Sequence, residues 1–245
     1  MIFSIIILVK CMKKVILICS IFFAITMIIN NTYKEEVELE ERGVFISYIE
    51  LNKYVKDKSI EQSKKNIDQI INNIKSLGFN LVILQIRSFS DAIYESSIFP
   101  WSSTVSSYEG IYPGYDVLDY FIDMCHENNI FIYGWINPYR VRTSSDVSSI
   151  SSSNPAYKYL GSRHIIIDNG IYYNPSSDEV IDLIVSGVEE VVSKYKVDGI
   201  LFDDYFYPNT DCDYLEYEEY LSKNDYISFN DLWICIWKSF KEHKK

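Results

Sequence analysis

A short apolar strand that ends in two adjacent carboxylates constrains this chain more than any other feature. Residues 196–208 read KVDGILFDDYFYP. Val197 to Phe202 has the length and apolar character of a buried strand, and Asp203 and Asp204 follow at once. Upstream, Ser177 precedes a segment in which Val180, Ile181, Ile184, Val188, Val191 and Val192 recur at helical spacing. An amphipathic helix over Asp178–Lys194 that leads into a buried strand predicts a parallel α/β unit. In such folds the C-terminal end of the strand faces the ligand crevice. Carboxylates after a strand can also merely open a loop or cap a helix. Side chains alternate on extended backbone, so at most one of Asp203 and Asp204 aims at the crevice.

The same pattern of strand, polar end and helix recurs upstream. Arg42 to Glu50 reads as a first strand, with its apolar run at 44–49 and Glu50 at its end. Ser59, with Gln62 three residues on, caps a helix running to Leu77, and Gly78 stops it. A second strand at 81–86 ends in Arg87. The connection from Arg87 to Tyr115 carries Asp91, Tyr94, Phe99, Trp101, Tyr108 and Tyr112, an aromatic content that argues against disorder. Asp116 caps the next helix, which ends at Asn128 and Asn129. A third strand at 130–136 ends in Asn137, Tyr139 and Arg140. Ser144 to Ser153 is a serine-rich surface loop. Asn154 to Leu160 suits a helical turn, and Arg163 to Asp168 with Gly170 to Tyr173 suits two short extended pieces around an Asn169-Gly170 turn. Two further helical segments, 211–221 and 228–240, follow the acidic strand.

The count is therefore four parallel βα units. A (β/α)₈ barrel needs eight units in about 250 residues, whereas this chain of 245 residues spends much of its length on loops. The expected fold class is α/β, either an open sheet or a partial TIM (β/α)₈ barrel of about four parallel units. The net charge of −11 argues against a nucleic-acid partner. Met12, Lys13 and Lys14 precede an apolar run from Val15 to Ile29, so residues 1–31 are expected to be a signal peptide or membrane anchor and 32–41 a linker. The domain at 42–245 is expected outside the cytoplasm. Cys11, Cys19, Cys125, Cys212 and Cys235 show no metal-ligand spacing, and no metal or cofactor is expected.

Several blocks together carry a family resemblance: RGVFI at 42–46, LQIR at 84–87 with DAIY at 91–94, IFPWS at 98–102, PGYD at 113–116, WINPYR at 135–140, YNP at 173–175, and VDGILFDDYFYP at 197–208. The chain resembles the glycosyl-hydrolase-like 10 family, also known as domain of unknown function 187. The resemblance implies a TIM-barrel glycosidase fold and action on cell-wall polysaccharide such as the glycan strands of peptidoglycan. Two positions depart from the family pattern. Ser88 and Ser90 stand where the family usually has proline and glycine. The four barrel units that normally follow the acidic block are not found here.

Glycoside hydrolysis needs two carboxyl groups flanking the scissile bond. Asp203 or Asp204 supplies one; Glu50 or Asp91 is the candidate for the other, and the barrel units that follow in the family could equally carry it. Arg87, Asn137 and Arg140 are expected to hold substrate hydroxyls, with Tyr94, Trp101, Tyr139 and Tyr205 as sugar platforms. The competing expectation is a glycan-binding module, or an inactive fragment that cleaves nothing. A four-unit barrel leaves open edges, so self-association through them is expected as well.

Overall fold

The computed structural model describes residues 40–203, 208 and 213–223. The chain begins with β1 (Gly43–Ile46), α1 (Tyr48–Tyr54), α2 (Ile60–Ser76) and β2 (Leu81–Arg87). It continues through α3 (Val117–Glu127), β3 (Phe131–Ile136) and β4 (Arg140–Arg142), then β5 (Ile165–Ile167) and β6 (Ile171–Tyr173). Short 3₁₀ turns lie at Val147–Ser149 and Pro155–Tyr159. α4 (Asp178–Lys194), β7 (Gly199–Phe202) and α5 (Tyr214–Lys223) complete the described chain. The leader at 1–31, most of the linker at 32–41, Asp204, Tyr205 and the segment 228–240 lie outside the described residues. No described helix is long and apolar enough to cross a membrane.

β1, β2, β3 and β7 form one sheet in that order, and each neighbouring pair is parallel. This is the four-unit order expected from the sequence. Val82, Leu84 and Ile86 of β2 and Ile132 and Ile136 of β3 turn one face of the sheet toward the helices. There they pack with Ile67 and Ile71 of α2, Leu118, Phe121 and Ile122 of α3, and Val191 of α4. Gly134 makes the packing possible, because a Cβ there would lie 2.7 Å from Ile86 Cδ1. The helix starts are local and clear. Ser59, Asp116 and Ser177 each accept a backbone N–H of the first turn.

One local expectation needs correction. β1 ends at Ile46 rather than at Ile49. Ser47 caps α1 there: its hydroxyl accepts from Ile49 N, and Glu50 Oε2 accepts from Ser47 N at 2.9 Å. This Ser-x-x-Glu capping box satisfies otherwise orphaned donors, and Leu51 finds a buried site in the helix. The apolar run Tyr48-Ile49 therefore continues as helix. Beyond the end of β3, Arg140 begins a further strand. It opens β4, which pairs antiparallel with β6, and the β5–β6 hairpin closes a second, three-stranded sheet. Asn169 takes the positive φ of 49° that this turn requires. Tyr139, Val141, Tyr159, Ile171 and Tyr173 of this region form a second core with Val180 and Ile184 of α4.

Candidate functional site

Polar side chains converge where the parallel strands end. Gln85 interrupts the apolar run of β2 and is buried. Its Oε1 accepts from Tyr48 N at 2.9 Å, and its Nε2 donates to Asn137 Oδ1. Asn137 follows β3 directly. Its backbone N donates to Arg87 O at 2.9 Å, and its Nδ2 donates to Asp203 Oδ2. Arg140 adds a donor to the same Asn137 Oδ1 at 3.2 Å and anchors itself on Ser88 O at 3.1 Å. Its guanidinium lies 5.0 Å from the centre of the Phe89 ring, a cation–π distance. One chain of hydrogen bonds thus ties α1, β2, β3 and the end of β7 together.

The rim also holds polar atoms that nothing in the described structure satisfies. Asp203 Oδ1, Ser88 Oγ and Trp135 Nε1 are buried without a hydrogen-bond partner. The register places Trp135 beside Gln85 and Leu201, and alternation puts Asp203 on the same face as Leu201. Asp203 therefore has one oxygen fixed by Asn137 and one unpaired acceptor. An orphaned buried acceptor costs about 1–3 kcal/mol unless something binds it. A fixed carboxylate with a spare oxygen can accept a hydroxyl or exchange a proton. Among the described residues, no group of three His, Cys, Asp or Glu side chains could hold a metal ion.

The other candidate residues lie elsewhere or are already engaged. Glu50 is committed to Ser47, with its carboxylate also accepting the Ser47 hydroxyl at 2.6 Å. Burial pushes its carboxyl up, and the hydrogen bonds from Ser47 outweigh this and leave it below the usual value. Arg87 turns inward: it is 2% exposed, stacks 4.2 Å from the centre of the Phe99 ring, and abuts Gly187 of α4. Both of its terminal nitrogens lack partners. Asp91 is buried within the β2–α3 connection. Burial raises its pKa to about 6, while the Ser102 hydroxyl and the Arg142 charge only partly offset that rise. Tyr94 and Tyr139 are buried core residues rather than open platforms, and burial pushes both hydroxyls up to about 12. Trp101 is half-buried and packs on Tyr112 with ring centres 5.3 Å apart.

Of the expected site, the structure thus joins Asn137, Arg140 and Asp203. It leaves the side chains of Glu50, Arg87, Asp91 and Tyr94 off that network, and it buries Tyr139 in the second core. Gln85 was not expected. Its signal was a lone amide within LVILQIR, since a polar group in a buried strand must find partners.

Comparison with known proteins places this arrangement. The model of the family described as glycosyl hydrolase-like 10 matches residues 40–244. The chain is 34% identical over 179 residues to glycosyl hydrolase YngK of Bacillus subtilis (strain 168), a match covering 71% of this chain and 35% of that protein. It is 37% identical over 154 residues to glycosyl hydrolase DigH of Escherichia coli (strain K12), covering 60% of this chain and 35% of DigH. The chain therefore spans about a third of the length of these relatives. Among solved structures, α-L-fucosidase isoenzyme 2 from Paenibacillus thiaminolyticus superposes with a TM-score of 0.51 at 16% identity, covering 75% of this chain and 26% of that one. That likeness concerns the fold alone, a partial TIM-barrel arrangement without closure among the described strands. With its parallel strands, its acidic rim and a family match over most of its length, this chain belongs to the glycosyl hydrolase-like 10 family.

Proposed function

We propose that the strand-end rim is a glycoside hydrolase site acting on O-glycosidic bonds of cell-wall polysaccharide, with the glycan strands of peptidoglycan as substrate. The observation that carries this reading is Asp203, held through one oxygen by Asn137 and left with a buried, unpaired Oδ1. In this role Asp203 is one of the two carboxyls of glycoside hydrolysis. Asn137 fixes its orientation, and Gln85 and Arg140 fix Asn137. Asp204, Tyr205 and Trp101 remain the candidates for a second acid and for sugar contact. A cell-wall substrate goes with an extracytoplasmic location and with residues 1–31 as leader or membrane anchor.

A second reading has a specific observation behind it. Glu50 is spent on a helix cap and Asp91 is sealed from solvent. Unless Asp204 supplies the second acid, the cleft would bind glycan without cleaving it. One experiment separates the two: release of reducing ends from peptide-free glycan strands, alongside calorimetric binding of the same strands. Hydrolysis predicts slow release that falls by at least about 100-fold in Asp203→Asn. Binding without release supports the module. Neither binding nor release refutes both.

A further inference from the structure

The side-chain amides of Gln85 and Asn137 each carry one acceptor and one donor group of nearly equal size, so their partners set their orientation. Two groups that can only donate settle both. The backbone N–H of Tyr48 lies 2.9 Å from Gln85 Oε1. Gln85 must meet it with its oxygen, which turns Nε2 toward Asn137 Oδ1. The Arg140 guanidinium has donors only, and its Nη2 reaches the same Asn137 Oδ1 at 3.2 Å. Both lone pairs of that oxygen are thereby filled. Asn137 therefore turns Nδ2 toward Asp203 and donates to its Oδ2. The hydrogen bonds run one way, from the start of α1 to the carboxyl at the end of β7.

Direction matters most at Asp203. A donor N–H makes a charge-assisted bond to a carboxylate, about twice as strong as a bond to a neutral acceptor. Reversed amides would present the Asn137 oxygen instead, and only a carboxyl that holds its proton can bond to that. The other Asp203 oxygen has no hydrogen-bond partner, so Oδ2 is where the protein acts on this group. Gln85 itself is 1% exposed, and Leu81 to Ile86 is otherwise apolar. An apolar side chain would fill such a site without burying polar atoms. An amide there, with its oxygen and nitrogen each engaged, is placed to direct a neighbour.

We infer that Gln85 is a positioning residue that, through Asn137, presents Asp203 as the accepting carboxylate of glycoside hydrolysis, and that a different residue gives the proton to the leaving oxygen. Two forms of the step fit this role. In one, an Asp203 oxygen bonds to the anomeric carbon as the bond to the leaving oxygen breaks, and water later hydrolyses the ester. In the other, water bonds to that carbon and passes its proton to Asp203. In both, the leaving oxygen takes its proton from the second carboxyl. The role rests on the glycosidase reading, whereas the one-way relay from Tyr48 to Asp203 does not.

Thermal unfolding of the full chain near neutral pH tests the relay. Gln85→Glu keeps the shape and the bond from Tyr48, but it puts an acceptor where Nε2 stood. Asn137 then turns its nitrogen to position 85 and its oxygen to Asp203. Gln85→Glu should lower Tm by at least about 4 °C. Adding Asp203→Asn, which supplies a donor, should recover at least about half of that loss. Adding Asp203→Ala, which removes the charge and supplies no donor, should recover less. If Gln85→Glu alone does not fold, its combination with Asp203→Asn should fold and that with Asp203→Ala should not. Equal recovery by the two, or none by either, overturns the relay. The role is read on an aryl glycoside with a good leaving group. Asp203→Ala should lose at least about 100-fold in rate, and azide should restore turnover by forming a glycosyl azide. Full turnover of that variant without azide would make Asp203 the proton donor and overturn the role, as would a loss that azide does not repair. A wild type that cleaves neither this glycoside nor glycan strands fails the glycosidase reading, while the thermal comparison still decides the relay.

Discussion

Asp91→Asn should change stability by an amount that depends on pH. Asp91 is fully buried, and its Oδ1 has no hydrogen-bond partner. Burial raises its pKa from 3.8 to about 6. The folded protein therefore keeps a proton that the unfolded chain has released. The sign follows from proton linkage: the stability this group contributes is fully present below the unfolded value, falls as pH rises through the folded value, and is lowest above it. A rise of this size corresponds to about 3 kcal/mol. Asparagine is neutral throughout, and its amide brings a constant cost of about 1–3 kcal/mol if its donors stay unpaired. The difference between two pH values removes that constant. Between about pH 4 and about pH 7.5, the substitution should become more favourable by about 2.4 kcal/mol. For a domain of this size that is about 5–10 °C in the change of Tm. Thermal unfolding of both proteins at both pH values measures it. An equal effect at the two pH values would refute the reasoning. A variant that grows less stable toward neutral pH would show that Arg142 outweighs burial and that Asp91 is held ionised.

Two other residues make separate predictions. Glu190, on α4, accepts from Ser97 N and Oγ at 2.7 Å each and from Lys194 at 2.9 Å. Burial pushes its carboxyl up, but these hydrogen bonds and that of Ser96 prevail and bring it to about 2. Its contribution is present above the ordinary carboxylate value and is lost as pH falls through the folded one. Glu190→Gln should therefore cost about 2–3 kcal/mol in urea unfolding at neutral pH, and an unchanged midpoint would contradict the assignment. Gly187→Ala should lose about 1–3 kcal/mol despite the roughly 1 kcal/mol that alanine gains in a helix. The new Cβ would meet Arg87 Nη1 at 2.2 Å and Phe99 Cε2 at 2.6 Å, and the arginine is buried against that ring. A rise in Tm would show that this contact relaxes freely.

The sequence by itself determined what depends on near neighbours in the chain. Caps at Ser59, Asp116 and Ser177 are local, because a side-chain oxygen meets an N–H two or three residues on. The β5–β6 hairpin was legible for the same reason, through Asn169-Gly170. The order of the four parallel strands followed from alternating helix and strand patterns. The Ser47-x-x-Glu50 box was equally local, but the apolar run across it reads the same as strand or helix, and period alone could not choose. What tertiary structure decided was the direction and burial of polar side chains at the strand ends. Arg87, Asn137 and Asp203 look alike in sequence, each a polar residue at the end of an apolar run. A register shift between Gln85 and Arg87 in the pairing of β2 with β3 accompanies the turn of Arg87 toward α4. Asn137 and Asp203 meet instead across 66 residues of chain. No local signal encodes that meeting, because it depends on which strands become neighbours and in what register they pair.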